Sequence, residues 1–427
     1  MSTSSALTVS NGRRSSGSET RPLLTIPAEV QDVIQRAPAD LDPVSTVHWY
    51  AAHIASLSRD TRQAAHTILH RLAGRMVERG ASDLDVGGPA TGKQIWLRVD
   101  GVKQPDPAVG RLTPQEADFL LLSVLSARQR DRLLATRSVD HTYTMQVGEE
   151  ERGRRFRASF YFDQQHIALS MRMLEGKPRP LHALGFHPHI EDGLLFRNVR
   201  DGLTLITGVT GAGKSTTLDA IIDANNRSVS GHILIIADPL EYIHESNNCL
   251  VRHREVGTDV DSFVDGMVQG LRQDPDIVVV GEMRDAETMA TALEMADTGH
   301  KVFSTLHTGS ALETIDRIIA EYPSEEQYRV RHRLADVLEC VVSQKLVPAV
   351  DGGRILAKEV LWMTPPARAA IKNESTGEIY QMVWQGHDYG MVTMEQDLAR
   401  LVRDGAITRA VAFNFANHKR RLEKLLR

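Results

Sequence analysis

The chain has 427 residues, of which 41% are hydrophobic and 25% are charged, enough for two or three domains with separate cores. Its 50 Lys and Arg residues against 55 Asp and Glu residues leave a net charge of -5, so a general nucleic-acid coat is not expected. Cys249 and Cys340 are the two cysteines, which excludes a disulfide framework and a four-cysteine zinc site. No apolar run approaches the roughly 20 residues that span a bilayer, and no export signal is visible, so we expect a cytoplasmic protein.

The first part of the chain predicts a tail followed by an α+β domain over residues 26–175. Ser, Thr, Gly and Arg dominate the start, which favours a disordered tail over residues 1–25. Helical spacing follows from Ala28 to Arg79. The other predicted elements are a hairpin of strands 82–86 and 95–99, a helix at 113–134, and strands at 141–147, 155–162 and 167–173.

The second part predicts a linker, a parallel α/β core and a helical end. Proline-rich sequence with little periodicity indicates the linker over residues 176–194. Apolar strands then alternate with helices, which is typical of βαβ units and a parallel sheet over residues 195–348. The predicted strands are 203–207, 232–237, 276–280 and 302–306. Helices are expected to dominate residues 349–427, with apolar spacing at Leu398, Leu401 and Val402.

The segment Gly208–Ser215 fits the pattern G-x-x-x-x-G-K-[S/T], follows a predicted strand and opens a helix. Glycines let the loop N–H groups surround phosphate oxygens, and the helix adds its positive end. Lys214 would contact the β- and γ-phosphates of a nucleotide, most simply ATP, and the Ser215 hydroxyl would bind Mg²⁺. The predicted nucleotide contacts are Gly208, Thr210, Gly211, Ala212, Gly213, Lys214, Ser215 and Thr216.

A second segment, Gly87–Lys93, also reads G-x-x-x-x-G-K. Gln94 stands where the metal-binding hydroxyl would be, and the segment lies between two predicted strands instead of before a helix. We therefore predict an ordinary hairpin loop.

Acidic side chains follow two strands of the predicted core. Gly281 occupies the place where many nucleotide hydrolases have a metal-linked Asp, so Glu282 is the candidate for polarising the attacking water and contacting Mg²⁺ through water. Asp238 and Glu241 follow another strand and would hold Mg²⁺-bound waters at the same sheet edge. The alternative for these acids is a strand-end cap or turn.

Two histidines, His300 and His307, flank the strand 302–306. They could sense the γ-phosphate or bridge subunits, and each alone could equally be structural. A zinc pair is rejected because no further His or Cys lies nearby in sequence.

These blocks, in this order, resemble the ATPases of type II and type IV secretion and of type IV pili. The resemblance covers about Gly80 to Thr364, with motifs at 208–215, 238–241, 271–285 and 298–308. Residues 80–85, 97–101 and 155–157 are similar to the pilus-retraction branch. Residues 343–348 and 394–407 look closer to ATPases of Dot/Icm-type secretion and plasmid transfer.

The resemblance implies a RecA-like P-loop core, a PAS-like α+β N-terminal domain and a helical C-terminal region, assembled as a hexameric ring. Arg155, Arg157 and Arg172 of the N-terminal domain would then reach the phosphates, and Glu282, with the two histidines, would act in catalysis. It also implies an inner-membrane platform protein as partner, peripheral attachment to that membrane, and no direct contact with nucleic acid. The alternative for each arginine is a solvated strand face.

Some features depart from this family pattern. Ala237 stands where many relatives have Glu, no four-cysteine insertion is present, and residues 366–371 replace a segment typical of retraction enzymes. The first difference leaves the role of that acid to Asp238 or Glu241, and the second disfavours the assembly ATPases of this superfamily. The third moves weight from pilus retraction toward secretion or conjugation. Two rival functions remain: a helicase-like nucleic-acid motor, and a regulatory nucleotide-binding protein that does not turn over. The basic segment 419–427 is expected to be a helix with one solvated face, or else a membrane-docking segment.

Overall fold

The computed structural model describes residues 24, 26–99, 101–146, 153–174 and 177–427. The chain divides into two compact units, Met1–Met173 and Leu174–Arg427. The tail predicted over residues 1–25 lies outside these ranges except for Leu24, and it stays a prediction. Within that stretch, Leu24 is described and buried, and its N–H donates to the Val109 carbonyl over 3.1 Å.

The helices of the first unit are α1 (Ala28–Arg36), α2 (Pro43–Ile54), α3 (Arg59–Glu78), α4 (Pro114–Ser123) and α5 (Ala127–Thr136). The helical spacing predicted from Ala28 to Arg79 is confirmed in α3, where Ile68, Leu69, Leu72 and Met76 are buried together on one face. Ser58 fixes the start of this helix by accepting the Thr61 N–H on its hydroxyl over 3.1 Å.

The helix predicted over residues 113–134 is wrong as a single element, since α4 ends at Ser123 and α5 begins at Ala127. Ser126 and Gln129 form a capping box: the Gln129 side chain accepts the Ser126 N–H over 2.8 Å, and the Ser126 hydroxyl accepts the Gln129 N–H over 3.3 Å. This local pairing offers the backbone a new helix start in place of continuation.

The strands of the first unit are β1 (Ala81–Gly87), β2 (Trp96–Val99), β3 (Val102–Pro105), β4 (Ser138–Met145), β5 (Arg154–Asp163) and β6 (His166–Met173). They form an antiparallel sheet in the order β3-β2-β1-β6-β5-β4. The predicted α+β character is therefore confirmed, and the strand β3 was not predicted from the sequence. The segment Gly87–Lys93 joins the antiparallel pair β1 and β2 and contains a short 3₁₀ turn, so its interpretation as a hairpin loop is confirmed.

The strands of the second unit are β7 (Gly202–Thr207), β8 (Gly231–Ala237), β9 (Cys249–Glu255), β10 (Ile277–Val280), β11 (Lys301–Leu306), β12 (Leu338–Pro348) and β13 (Arg354–Trp362). Their order is β13-β12-β7-β11-β10-β8-β9, with β13 antiparallel to β12 and the other pairs parallel. The predicted parallel sheet is confirmed, and β9, β12 and β13 were not predicted.

Both faces of this second sheet are buried. On β8, Ile233 and Ile235 belong to one apolar cluster, whereas Leu234 and Ile236 belong to another. A strand covered on both faces has no polar alternation, which is why these strands appear in the sequence as continuous apolar runs.

The helices of the second unit are α6 (Pro188–Leu194), α7 (Lys214–Ser228), α8 (Phe263–Gly270), α9 (Ala286–Asp297), α10 (Ala311–Ala320), α11 (Ser324–Val337), α12 (Pro365–Lys372), α13 (Ile379–Gln385), α14 (Met394–Arg403), α15 (Arg409–Phe415) and α16 (Lys419–Leu425). Helices follow β7, β10 and β11 and return the chain to the next strand. This arrangement is an α/β core with parallel crossovers.

Two predictions of local structure need correction. The segment predicted as an unpatterned linker contains α6, whose Ile190 and Leu194 are buried in the second unit. The region expected to be helical after residue 348 begins with β13, which pairs with β12 along its length. In both places the tertiary contacts, and not the local periodicity, decide the element.

The end of the chain is helical, as expected. Leu398 and Leu401 of α14 are buried and Val402 is partly buried in one cluster with Leu422 of α16. The basic segment therefore packs through Leu422 and leaves its charged residues exposed. Among the described residues, no helix has both the length and the apolar character needed to cross a membrane.

Candidate nucleotide-binding site

The loop that joins β7 to α7 has the backbone shape that its glycines predict. Gly208 has a φ of 149°, and a Cβ there would lie 2.5 Å from the Gln344 carbonyl oxygen and 2.9 Å from the Ala212 Cβ. Only glycine fits this position. Gly213 caps α7 without a side-chain hydrogen bond, so the first N–H groups of the helix are left for a ligand.

The side chains of the loop are arranged for access from outside. Thr210, Gly211 and Ser215 are exposed, Thr216 is half-buried, and Ala212 is buried. The Ser215 hydroxyl lies in the first turn of α7. The residues predicted to contact phosphate therefore lie on one loop and the adjoining first turn of α7, where a ligand can reach them.

A residue that the sequence did not single out, Gln344 of β12, fastens this loop to the sheet. Its side-chain amide donates to the Ala212 carbonyl over 2.9 Å, and its Oε1 accepts the Thr217 hydroxyl over 3.0 Å. Next to it, the Ser343 and Thr207 hydroxyls share a hydrogen bond of 2.7 Å. The signal was present as the polar pair Ser343 and Gln344 directly after the apolar run 340–342, since buried polar groups need partners.

Lys214 folds back onto its own loop. Its Nζ donates to the carbonyls of Gly208 over 2.8 Å and Val209 over 3.3 Å. Burial lowers the pKa of Lys214, and the negative charges of Glu282 and Glu241 oppose that change. Phosphate oxygens can replace the two neutral carbonyls, because a charged acceptor forms the stronger bond with an ammonium group.

The strand register brings the predicted acids to the same edge of the sheet. Val280 at the end of β10 pairs with Ser304 of β11 and with Ile236 of β8. Glu282 and Asp238 each follow their strand by one or two residues, so both lie at the carboxyl edge, where open parallel sheets bind ligands.

Four of the side chains at this edge make a chain of contacts with Lys214. Glu282 Oε2 lies 3.3 Å from His307 Nε2, and His307 Nδ1 lies 3.4 Å from Lys214 Nζ. The other carboxylate oxygen of Glu282 pairs with Arg284, whose guanidinium also lies 3.8 Å from Asp238 Oδ2. The structure thus brings together Lys214, Glu282, Asp238 and His307, and adds Arg284.

The contacts of His307 indicate how its ring is protonated. Lys214 can only donate, so His307 Nδ1 accepts in this arrangement. A neutral His307 then carries its proton on Nε2 and donates it to Glu282.

Glu241 acts on the site through its charge. It is half-buried after β8, and its carboxylate is one of the groups that favour the charged form of Lys214. That Glu241 holds Mg²⁺-bound waters stays a prediction.

The two predicted histidines are not together within this chain. His300 precedes β11 and His307 follows it, so the strand separates them by roughly 20 Å. His300 Nδ1 contacts the Met295 carbonyl at 3.1 Å and the Thr298 hydroxyl at 3.2 Å. His307 belongs to the loop site, and His300 belongs to the opposite edge of the sheet.

The three predicted arginines lie on neighbouring strands of the first unit. Arg157 on β5 is the register partner of Arg172 on β6. The contacts of these side chains with their own unit are Arg155 to the Thr142 hydroxyl at 2.7 Å, Arg157 to Asp140 at 3.8 Å, and Arg172 to Asp83 at 2.7 Å. Sequence reasoning placed them on strands correctly, and their role toward a phosphate stays a prediction.

The donors near the loop suit a small hard cation. The Ser215 hydroxyl and the carboxylates of Asp238 and Glu282 are oxygen donors, and Mg²⁺ prefers oxygen ligands, usually one or two from the protein with the remainder from phosphate and water. These residues therefore fit a magnesium ion that enters with a nucleotide.

The sequence matches a known family over most of its length. Residues 59–387 match the family described as type II/IV secretion system protein. The chain is 37% identical over 336 residues to the type IV pilus retraction ATPase PilT of Pseudomonas aeruginosa, covering 78% of this chain and 93% of that protein.

Solved structures agree with the sequence match. A crystal structure of the pilus retraction motor PilT with bound ADP superposes with a TM-score of 0.75 at 35% identity, covering 83% of this chain and 98% of that one. The ATPase DotB of Legionella pneumophila gives a TM-score of 0.68 at 26% identity, covering 81% and 94%. The first unit is thus the N-terminal domain, and the second unit contains a RecA-like core followed by a helical C-terminal region. The chain belongs to the type II/IV secretion system family as one of its ATPases.

Proposed function

We propose that this ATPase works as a ring-shaped hexamer that hydrolyses Mg²⁺-ATP to drive a type IV secretion or conjugation system or a type IV pilus machine. The observation that carries the proposal is the connected cluster Lys214–His307–Glu282 at the open phosphate loop. A lysine, a histidine and a carboxylate in contact beside a helix N-terminus are suited to bind phosphate and orient water.

Nucleotide binding begins with the loop. The N–H groups at the start of α7 donate to the phosphate oxygens, and Lys214 exchanges the carbonyls of Gly208 and Val209 for the β- and γ-phosphates. Ser215 supplies a hydroxyl ligand for Mg²⁺, and Asp238 and Glu241 hold its waters. When bound there, Mg²⁺ would supply positive charge against the charge that develops on the phosphates.

Hydrolysis depends on Glu282. Its carboxylate, 17% exposed at the sheet edge, orients a water toward the γ-phosphate and accepts its proton. His307 lies between Glu282 and Lys214. A movement of Lys214 toward the phosphates is therefore transmitted to the Glu282 carboxylate through one imidazole ring.

The ring supplies the remaining positive charge. Arg155, Arg157 and Arg172 of the N-terminal domain would approach the phosphates from a neighbouring subunit and stabilise the transition state. We also propose domain limits at residues 26–175, 195–348 and 349–427, with 176–194 as the connection between the first two.

The proposed cellular partner and location are supported by the relatives of this chain. PilT is named for pilus retraction, and DotB is another structural relative. We propose an inner-membrane platform protein as partner and a cytoplasmic location at that membrane. Nucleic acid is not expected to bind directly, because the net charge is -5.

The test is the substitution Glu282→Gln, which keeps the size of the side chain and removes its charge. We expect ATP binding to persist and phosphate release to fall by about 100-fold or more, the range of a lost general base. Glu287→Gln, an exposed glutamate on α9, is the matched control. Normal turnover by Glu282→Gln would reject the mechanism.

Two further measurements test the ring and its cargo. Light scattering with and without nucleotide should give the mass of six chains. Turnover should not rise on adding duplex DNA; strong stimulation that disappears steeply with salt would favour a nucleic-acid motor instead.

A further inference from the structure

We propose that Arg284 is a positioning residue that holds Glu282 and Asp238 in the nucleotide-free site and must release Glu282 before water can be activated. This inference rests on the proposed function, because it assigns Glu282 the catalytic role. It concerns a residue two positions beyond that carboxylate and outside the phosphate loop.

The geometry places one guanidinium between two carboxylates. One Arg284 nitrogen pairs with Glu282 Oε1, and another lies 3.8 Å from Asp238 Oδ2. The hydrogen bond to Glu282 is the main cause of the raised pKa of Arg284. Asp285, which also faces this arginine electrostatically, is engaged elsewhere, because its Oδ1 accepts the Thr288 N–H over 2.8 Å.

Both oxygens of Glu282 face protein groups in this arrangement. Oε1 faces Arg284, and Oε2 faces His307 Nε2 at 3.3 Å. Each oxygen keeps a further lone pair, but the Glu282 side chain is only 17% exposed, so a water that Glu282 polarises gains access when one of these partners leaves. Arg284 is the partner better able to leave, because its side chain is 58% exposed and can be hydrated.

The charge on Arg284 also matters for a cation. Without nucleotide, Glu282 and Asp238 are two negative groups at one sheet edge, and Arg284 partly neutralises them. A divalent cation that enters with the phosphates supplies positive charge to the same carboxylates. Arg284 and Mg²⁺ therefore compete electrostatically for the two carboxylates. The ion pair between Arg284 and Glu282 is weakest when nucleotide and Mg²⁺ are bound.

The experiment measures binding of a fluorescent ADP derivative at a series of Mg²⁺ concentrations, separately from turnover. For Arg284→Ala we expect about two- to fivefold weaker binding without Mg²⁺, and a half-saturating Mg²⁺ concentration about two- to fivefold lower, the size of one partly exposed ion pair. Turnover at saturating Mg²⁺ and ATP should be retained or increased, because no ion pair between Arg284 and Glu282 has to break before water is activated.

Two further variants keep the result interpretable. Arg284→Lys preserves the charge and should keep a Mg²⁺ dependence close to that of the unmodified protein. Arg329→Ala removes an exposed arginine that pairs with Glu326 at 3.2 Å on α11, and should change neither quantity.

An unchanged Mg²⁺ dependence in Arg284→Ala would overturn the proposal. So would a loss of turnover of 100-fold or more at saturating Mg²⁺, on the order of one lost transition-state contact, because Arg284 would then touch the reacting phosphates. Failure of the proposed function is separate: it would appear as normal turnover in Glu282→Gln, whatever Arg284→Ala does.

Discussion

The edge of the core sheet where the parallel strands end and the edge where they begin each carry a lysine, a glutamate and a histidine, and the partners of these residues differ. Lys214, at the first edge, donates to Gly208 and Val209 in an open loop. Lys301, at the second, is 1% exposed and donates to two interior carbonyls at 2.9 Å each. The first lysine can exchange its partners for a ligand, and the second cannot.

The acids and histidines repeat the contrast. Glu282 shares its oxygens between Arg284, whose side chain is 58% exposed, and His307. Glu339 pairs with Arg368, which is 25% exposed and also donates to the Ala335 and Asp336 carbonyls. His300 is tied to the Met295 carbonyl. Residue types alone therefore do not make a site; the site needs partners that a ligand can displace, next to the free N–H groups of a helix start.

The largest effect is expected from neutralising Lys214, which tests whether the first edge of the sheet binds the ligand. We expect Lys214→Gln to weaken ATP binding by about 100-fold or more, because charge-assisted bonds to phosphate are lost. A fluorescent ATP analogue measures this directly. Lys93→Gln, in the hairpin loop that carries the same glycine–lysine pattern, is the control and should bind normally. Equal affinities for the two variants would remove the distinction between the loops.

Lys301 offers a pH test of the second edge. Burial lowers the pKa of Lys301 to about 8 from an ordinary 10.5. Between these values the unfolded chain holds a proton that the folded chain has lost, so this group makes stability rise with pH through that window. The gain should total about 3 kcal/mol, and it should be missing in Lys301→Met.

Chemical denaturation of both proteins from pH 7.5 to 10.5 gives this difference. Burial also raises the pKa of the neighbouring Cys340 thiol to about 12, which lowers stability at high pH, but Cys340 is present in both proteins and largely cancels. A parallel pH dependence of the two proteins would show that Lys301 is not the buried cation described here.

The smallest expected effect sharpens the contrast between the histidines. His307→Asn should lower turnover by roughly 10- to 100-fold, the value of one lost hydrogen bond to a charged group. His300→Asn should act mainly on stability, reducing the free energy of unfolding by about 1 kcal/mol through its bond to the Met295 carbonyl. Comparable losses of turnover would place His300 in a catalytic site after all.

Much of the site was predictable because its signals are local. The phosphate loop depends on glycines at fixed spacing between a strand and a helix, and Gly208 shows why: its neighbours leave no room for a Cβ. The apolar runs of β7, β8, β10 and β11 were equally clear, since both faces of each strand are covered.

Other features depended on contacts between distant residues. The strand β13 and the helix α6 have weak periodicity, and each forms because it packs on the core sheet. Gln344 lies more than a hundred residues from the loop that it fastens. The division of the single predicted helix into α4 and α5 differs from these cases, because it comes from a local capping box between Ser126 and Gln129.

The sequence by itself determined that this chain holds a phosphate loop, an acid after a parallel strand and the motifs of the secretion ATPases in their usual order. Each of these features is specified by residues that are neighbours in the chain. The tertiary structure decided which of them meet. The register of β8, β10 and β11 brings Asp238 and Glu282 to one edge of the sheet and sets Arg284 between them. This arrangement depends on strand pairing, which no local pattern specifies.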